Sequence, residues 1–212
     1  MRALAKATGR SLATAYNYFS SKEEILFALQ KEAFETLIGA ADQALEDVES
    51  ASSRLYVFIL NHVNYCTAHA DVMRVLIHEA GSLPPAKRRQ IRELKTAYFR
   101  IGQGVISGVL EEGCGQIGAA KRSPNQPAEE AEIERITYSL FGMLNWLYSW
   151  YEPERHGDAS ELAHSMRHLI LCGAVVSCPA IGVVAGADQT LEGSLKTPPL
   201  LGGRAATKGG AS

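Results

Sequence analysis

Between Arg10 and Lys22 the chain places Ser11, Thr14, Tyr16, Asn17 and Tyr18, side chains able to exchange hydrogen bonds with a nucleic acid. Thr14 can touch a thymine methyl or a base edge, and Asn17 can bond the edge of an adenine. Ser11, Tyr16, Tyr18 and Lys22 suit phosphates, which set register without reading sequence, and Arg2 and Arg10 add charge for the same backbone. Metal chemistry is the competing possibility. His164, His168 and Cys172 recur at i, i+4 and i+8, one helical face at ligand spacing, but no second ligand-bearing segment accompanies them. They read as structural or interface residues. His62 and His69 flank Cys66 on an apolar stretch, where a satisfied core histidine is the expectation. Glu111-Glu112 and Glu129-Glu130 read as solvated pairs. With no G-x-G-x-x-G, P-loop or nucleophile elbow in the chain, no enzyme activity, cofactor or metal is expected.

The elements needed to present those donors are in place around them. Gly9 can take the left-handed conformation of a tight interhelical turn, and Ser11 can cap the stretch Leu12 to Phe19. Ser21 and Glu24 stand in the S-x-x-E relation of a capping box ahead of Ile25, Leu26 and Leu29, so another helix begins there. Arg2, Lys6, Arg10 and Lys22 are the only charges among the first 22 residues; the rest carries 17 cations against 23 anions. A whole-chain balance of −2 thus hides a basic end on an acidic body. A solvated helix face would show the same cations, but the turn and the two caps favour DNA.

The run from Arg2 to Leu26, with Tyr16, Tyr18 and Phe19 followed by Lys22-Glu23, resembles the DNA-binding segment of TetR/AcrR-family transcriptional regulators. The resemblance is strong over the first thirty residues and looser to about Gly173. It implies an all-α homodimer: a small helix-turn-helix domain followed by a larger helical domain that binds a small molecule and dimerises. Arg10 and Ala15 stand where members of that family carry hydrophobic residues. Family members also have a further helix ahead of the segment that Met1 opens, so the expected DNA-binding domain, residues 1–30, is partial.

Composition and periodicity supply the body. With 212 residues, 46% hydrophobic and 21% charged, the chain can bury one large helical domain and one small one. The most apolar stretch, Ala174 to Ala187, is interrupted by Pro179 and falls short of the roughly 20 residues a bilayer requires, so no membrane partner is expected. Cys66, Cys114, Cys172 and Cys178 lack C-x-x-C spacing, as for reduced thiols in a cytoplasmic protein. Apolar periodicity predicts helices from Lys22 to about Val48, from near Ser53, from a cap at Asp71, from Pro85 to Glu112, from Glu129 to Tyr151, and from Asp158 or Ser160 through Ile170. Gly81 and Pro84-Pro85 break the run, and Gly113 to Pro127 reads as a loop. Gly102, Gly104 and Gly108 either permit close packing or leave room for a ligand. Residues 31–173 form the ligand-binding and dimerisation domain, and 174–212 read as a disordered tail.

The functional expectation is a ligand-responsive DNA-binding regulator, by resemblance a repressor, released from its double-stranded operator by a small hydrophobic effector. The effector site is placed among Phe58, Val63, Met73, His78, Tyr98, Phe99, Gly102, Asn145 and Trp146. The homodimer is placed on the helices 129–151 and 158–172. The alternative is a dimeric small-molecule-binding protein that has lost DNA recognition.

Overall fold

Ser21 starts the first helix of the computed structural model, which describes residues 19–79, 81–116 and 127–176. Its Oγ accepts from the amide of Glu24, and the Glu24 carboxylate accepts in return from Ser20, through both the amide and the hydroxyl. The capping box read in the sequence therefore closes one residue earlier than its usual form, on Ser20 rather than Ser21. Helix α1 runs Lys22–Leu45 and buries Ile25, Leu26, Ala33, Leu37, Ala41 and Leu45, the spacing of one apolar stripe. It stops before Val48 because Arg54 reaches back to the carbonyls of Leu45 and Val48, at 2.8 and 3.0 Å, and satisfies acceptors that another turn would have used.

Helix α2, Ala51–Ala68, is capped by Ser50, two residues ahead of the start expected near Ser53. The Glu112 carboxylate also accepts from the Ala51 amide at 2.7 Å, negative charge at a helix N-terminus. Leu55, Phe58, Ile59, His62, Val63 and Cys66 of α2 are all buried, and the helix packs against α1 and the later helices. Each large apolar side chain so enclosed contributes about 1.5–3 kcal/mol. Helix α3, Ala70–His78, has no side-chain cap: His69 occupies the cap position, and Asp71 lies within the first turn.

Helix α4 spans Pro85–Gln116 and so extends into what reads as a loop from Gly113. Arg88 stitches the preceding turn to it by donating to the carbonyls of Gly81 and Leu83. Helix α5, Pro127–Asn145, ends short of Tyr151. At Trp146 the backbone tightens, with the Ser149 amide and hydroxyl both donating to the Trp146 carbonyl, and a one-turn helix α6, Leu147–Trp150, follows. After α7, Pro153–His156, Gly157 takes φ +83° and α8, Ala159–Val176, begins. Asp158 and Glu161 cap α8 reciprocally, each carboxylate accepting from the other residue's amide at 2.9 Å.

All these elements are helices. The main core joins α1, α2, α4, α5 and α8 around Leu55, Phe58, Ile106, Leu140 and Leu144. A second cluster, Ile25, Leu26, Val75, Leu83 and Ile91, ties the start of α1 to α3 and the start of α4, with half-buried Phe19 packed against it. No helix among the described residues is long and apolar enough to cross a membrane.

Candidate functional site

A cavity of about 320 Å³ opens between the helices. Phe34 and Leu37 come from α1, His62 from α2, Met73, Leu76 and Ile77 from α3, Lys95, Tyr98 and Phe99 from α4, and Tyr138, Phe141 and Asn145 from α5. Its volume sits at the low end of the ~300–1,000 Å³ typical of small-molecule sites. The lining is mainly apolar and aromatic with a few polar groups, the usual make-up of such a site.

One side of the wall is an aromatic cluster. Phe141 meets Tyr98 edge-on at 5.5 Å and Phe99 stacked at 5.6 Å, and Phe99 lies 4.7 Å from Tyr138. Gly102 makes this possible, because a Cβ there would stand 2.9 Å from Phe141 Cε2. Gly104 has nothing within 4 Å of such a Cβ, and Gly108 only Ala51 at ordinary contact distance. Of Gly102, Gly104 and Gly108, Gly102 alone is required by close packing.

The polar groups are few. His62 Nδ1 lies 3.0 Å from Tyr98 Oη, while Nε2 is buried with no hydrogen-bond partner. Burial pulls the His62 pKa down to about 4, so the ring is neutral near pH 7, and burial also raises that of Tyr98. Lys95 is half-buried with its ammonium 5.6 Å over the Phe34 ring, and desolvation lowers its pKa.

Of the effector-site residues expected from sequence, Met73, Tyr98, Phe99 and Asn145 line the cavity. Phe58 and Val63 are fully buried behind the wall, with Phe58 packed on Tyr98 and Phe141. Gly102 lies under Phe141. His78 faces Tyr148, at 2.8 Å from its hydroxyl, and Trp146 is 53% exposed with its ring against Tyr148. His62, Lys95 and Phe141 were not expected in the site. Apolar periodicity placed His62 on the core side of α2, but its pairing with Tyr98, 36 positions away, leaves no mark in the sequence.

Arg2, Arg10, Ser11, Thr14, Tyr16, Asn17 and Tyr18 lie outside the described residues, as does the tail from 177. Lys22 is described: its ammonium is 3.8 Å from the Glu79 carboxylate, and Lys87 pairs with Glu24 at 4.0 Å. Both pairs join the start of α1 to the α3–α4 region. The His164, His168, Cys172 face sits on α8, where His164 stacks on Tyr56 at 4.3 Å and Cys172 Sγ lies 3.5 Å from a His168 ring nitrogen.

Residues 48–122 match the family described as tetracyclin repressor-like, C-terminal domain. The chain is 25% identical over 171 residues to the fatty acid metabolism regulator protein of Bacillus subtilis (strain 168), covering 80% of this chain and 82% of the relative. Among solved structures it is similar to the TetR family transcriptional regulator PfmR from Thermus thermophilus, at 24% identity and TM-score 0.60, over 79% of this chain and 85% of that one. It is also similar to AibR, solved in complex with isovaleryl coenzyme A and operator DNA, at 19% identity and TM-score 0.57, over 78% and 83% of the two chains. The architecture shared with these proteins is the all-α TetR fold.

Proposed function

We propose that this chain, which belongs to the TetR/AcrR family of transcriptional regulators, is a homodimeric repressor released from its operator by a small hydrophobic effector carrying an acyl group. The observation that carries the proposal is the double duty of α3. Met73, Leu76 and Ile77 line the cavity, while Val75 packs with Ile25 and Leu26 at the start of α1, and Glu79, just past α3, holds Lys22. An effector filling the cavity presses on a nine-residue helix whose other face fixes the element leading to the DNA-reading segment. Differential affinity of the effector for two placements of α3 is what shifts the equilibrium, and a ligand that binds both equally shifts nothing.

The acyl class draws support from the relatives, one a fatty acid metabolism regulator and another solved with isovaleryl coenzyme A and operator DNA. The apolar, aromatic cavity suits the chain of such a molecule. Recognition of DNA is assigned to Thr14 and Asn17 for bases, and to Arg2, Arg10, Ser11, Tyr16, Tyr18 and Lys22 for phosphates. Dimerisation is assigned to the outer faces of α5 and α8, where Leu169 is 62% exposed.

The test is fluorescence anisotropy of duplexes tiled across the gene's own promoter, at two salt concentrations, with and without octanoyl coenzyme A. Specific binding that weakens with salt and is lost on adding the acyl compound is the expected result. Binding that ignores the compound overturns the effector assignment. Absence of DNA binding with retained acyl binding makes the chain a DNA-silent ligand-binding dimer.

A further inference from the structure

The cavity wall holds one polar pair and one cation that the protein leaves incompletely partnered. His62 is 1% exposed, with Nδ1 on the Tyr98 hydroxyl and Nε2 bonded to nothing among the described residues. A phenol is the better donor of the two and an imidazole nitrogen the better acceptor, so Tyr98 donates to Nδ1 and the ring proton resides on Nε2. Burial keeps the ring uncharged, which makes Nε2–H a neutral donor in a mainly apolar wall whose other polar side chains are Lys95, Tyr98, Tyr138 and Asn145. Such a donor carries its desolvation penalty until an acceptor arrives.

Lys95 stands three residues before Tyr98 on α4, so the two share a face one turn apart. Its ammonium rests over Phe34, and it makes no ion pair among the described residues. A half-buried cation without a counter-charge favours an anion beside it. One small cavity thus brings together a neutral donor on α2 and, on α4 one turn from that donor's Tyr98 partner, a cation with no ion pair among the described residues, with apolar surface around them.

We infer that His62 Nε2–H takes the carbonyl oxygen of an acyl group whose apolar chain fills the cavity, and that Lys95 takes the negative charge of that same group when it is a free carboxylate. The inference rests on the acyl reading of the effector and adds what tells an acyl ligand from an alkyl one. A free fatty acid and its coenzyme A thioester share the carbonyl and differ in charge: the acid's carboxylate meets both His62 and Lys95, whereas the thioester meets His62 alone, its phosphates lying a whole pantetheine arm away. His62 is thereby the residue that sets specificity for the carbonyl.

The test is calorimetric titration of the 212-residue chain with octanoyl coenzyme A, with octanoate, and with S-octyl coenzyme A, a thioether identical in chain and head but lacking the carbonyl oxygen. Octanoyl coenzyme A is expected to bind about tenfold tighter than the thioether, the effect of leaving one buried donor unpaired. His62→Phe is expected to abolish that preference, and His62→Gln, which keeps a donor, to retain part of it. Lys95→Met is expected to weaken octanoate by about tenfold and to leave the thioester-over-thioether preference intact. The ratio of octanoate to octanoyl coenzyme A affinities identifies which source of the acyl group the site takes. Equal affinity of the unsubstituted chain for thioester and thioether overturns the role of His62 while sparing the acyl-chain reading. Binding of none of the three compounds removes the acyl reading itself, and this inference with it.

Discussion

A histidine buried in a cavity wall makes folding sensitive to pH, and the direction is fixed by which state binds the proton. His62 has its pKa lowered by burial to about 4, against 6.5 for an exposed ring. Between those values the unfolded chain is protonated there and the folded one is not, so stability rises with pH across the window and falls on acidification. The loss from pH 6.5 down to about 4 is on the order of 3 kcal/mol for this one group. Chemical denaturation of the natural chain and of His62→Gln at several pH values isolates it from the carboxylates that titrate nearby. The difference between the two stabilities is expected to shrink steadily as pH falls through the window; parallel profiles would sink the idea. At this scale the sequence supplied only half of the answer. Helical spacing with Leu55, Ile59 and Cys66 marks His62 as inward-facing, whereas its bond to Tyr98 and its unpaired Nε2 depend on how α2 meets α4.

Helix α4 shows how a single element carries both stability and the site. Gly102 and Gly104 look alike in sequence, each expected to cost about 1 kcal/mol relative to alanine in a helix interior. In three dimensions they differ, because a Cβ on Gly104 meets open space and one on Gly102 meets the Phe141 ring. Gly104→Ala should therefore recover that cost and raise the melting temperature by about 2–4 °C for a chain of this size. For Gly102→Ala the gain is offset by overpacking, roughly 1–3 kcal/mol, and Phe141 must turn away from a position in the cavity wall. Thermal melts and octanoyl coenzyme A titrations of the two variants should separate, with stabilisation and unchanged affinity for Gly104→Ala and lost affinity for Gly102→Ala. Equal effects would mean that the Phe141 contact does not shape the cavity. The same element-scale view explains which helices could be read in advance. Long apolar stripes announced α1, α2, α4, α5 and α8, but the ends of α1, α2 and α5 were set by Arg54 reaching back to Leu45, Ser50 capping ahead of Ser53, and Ser149 closing on the Trp146 carbonyl. Those are contacts made by individual polar side chains, and hydrophobic periodicity does not register them.

For the whole molecule, the proposed DNA recognition depends on pairing. A helix-turn-helix dimer reads two half-sites about 34–36 Å apart, so a monomer forfeits one of them and most of the specificity. The surface proposed for pairing has unusual content for a helix exterior: Leu169 on α8, and Trp146 and Trp150 at the two ends of the α6 turn, are all exposed. Such a grouping of large apolar side chains is costly to leave in water and is typical of the anchors of a protein interface. Leu169 provides the cleanest probe, because at 62% exposure it contributes little to the fold of one chain, whereas a charge at its position would be buried in a dimer. Leu169→Glu should weaken dimerisation by about 100-fold, which is on the order of 3 kcal/mol. Sedimentation velocity over a concentration series gives that constant, and far-ultraviolet circular dichroism shows whether the helices are retained. Promoter binding should fall in parallel while octanoyl coenzyme A binding stays close to that of the natural chain, since Leu169 does not line the cavity. If Leu169→Glu sediments as the natural chain does, the α5–α8 face is not where two copies meet, and the coupling drawn from the cavity through α3 to α1 would have to reach DNA from a different pairing.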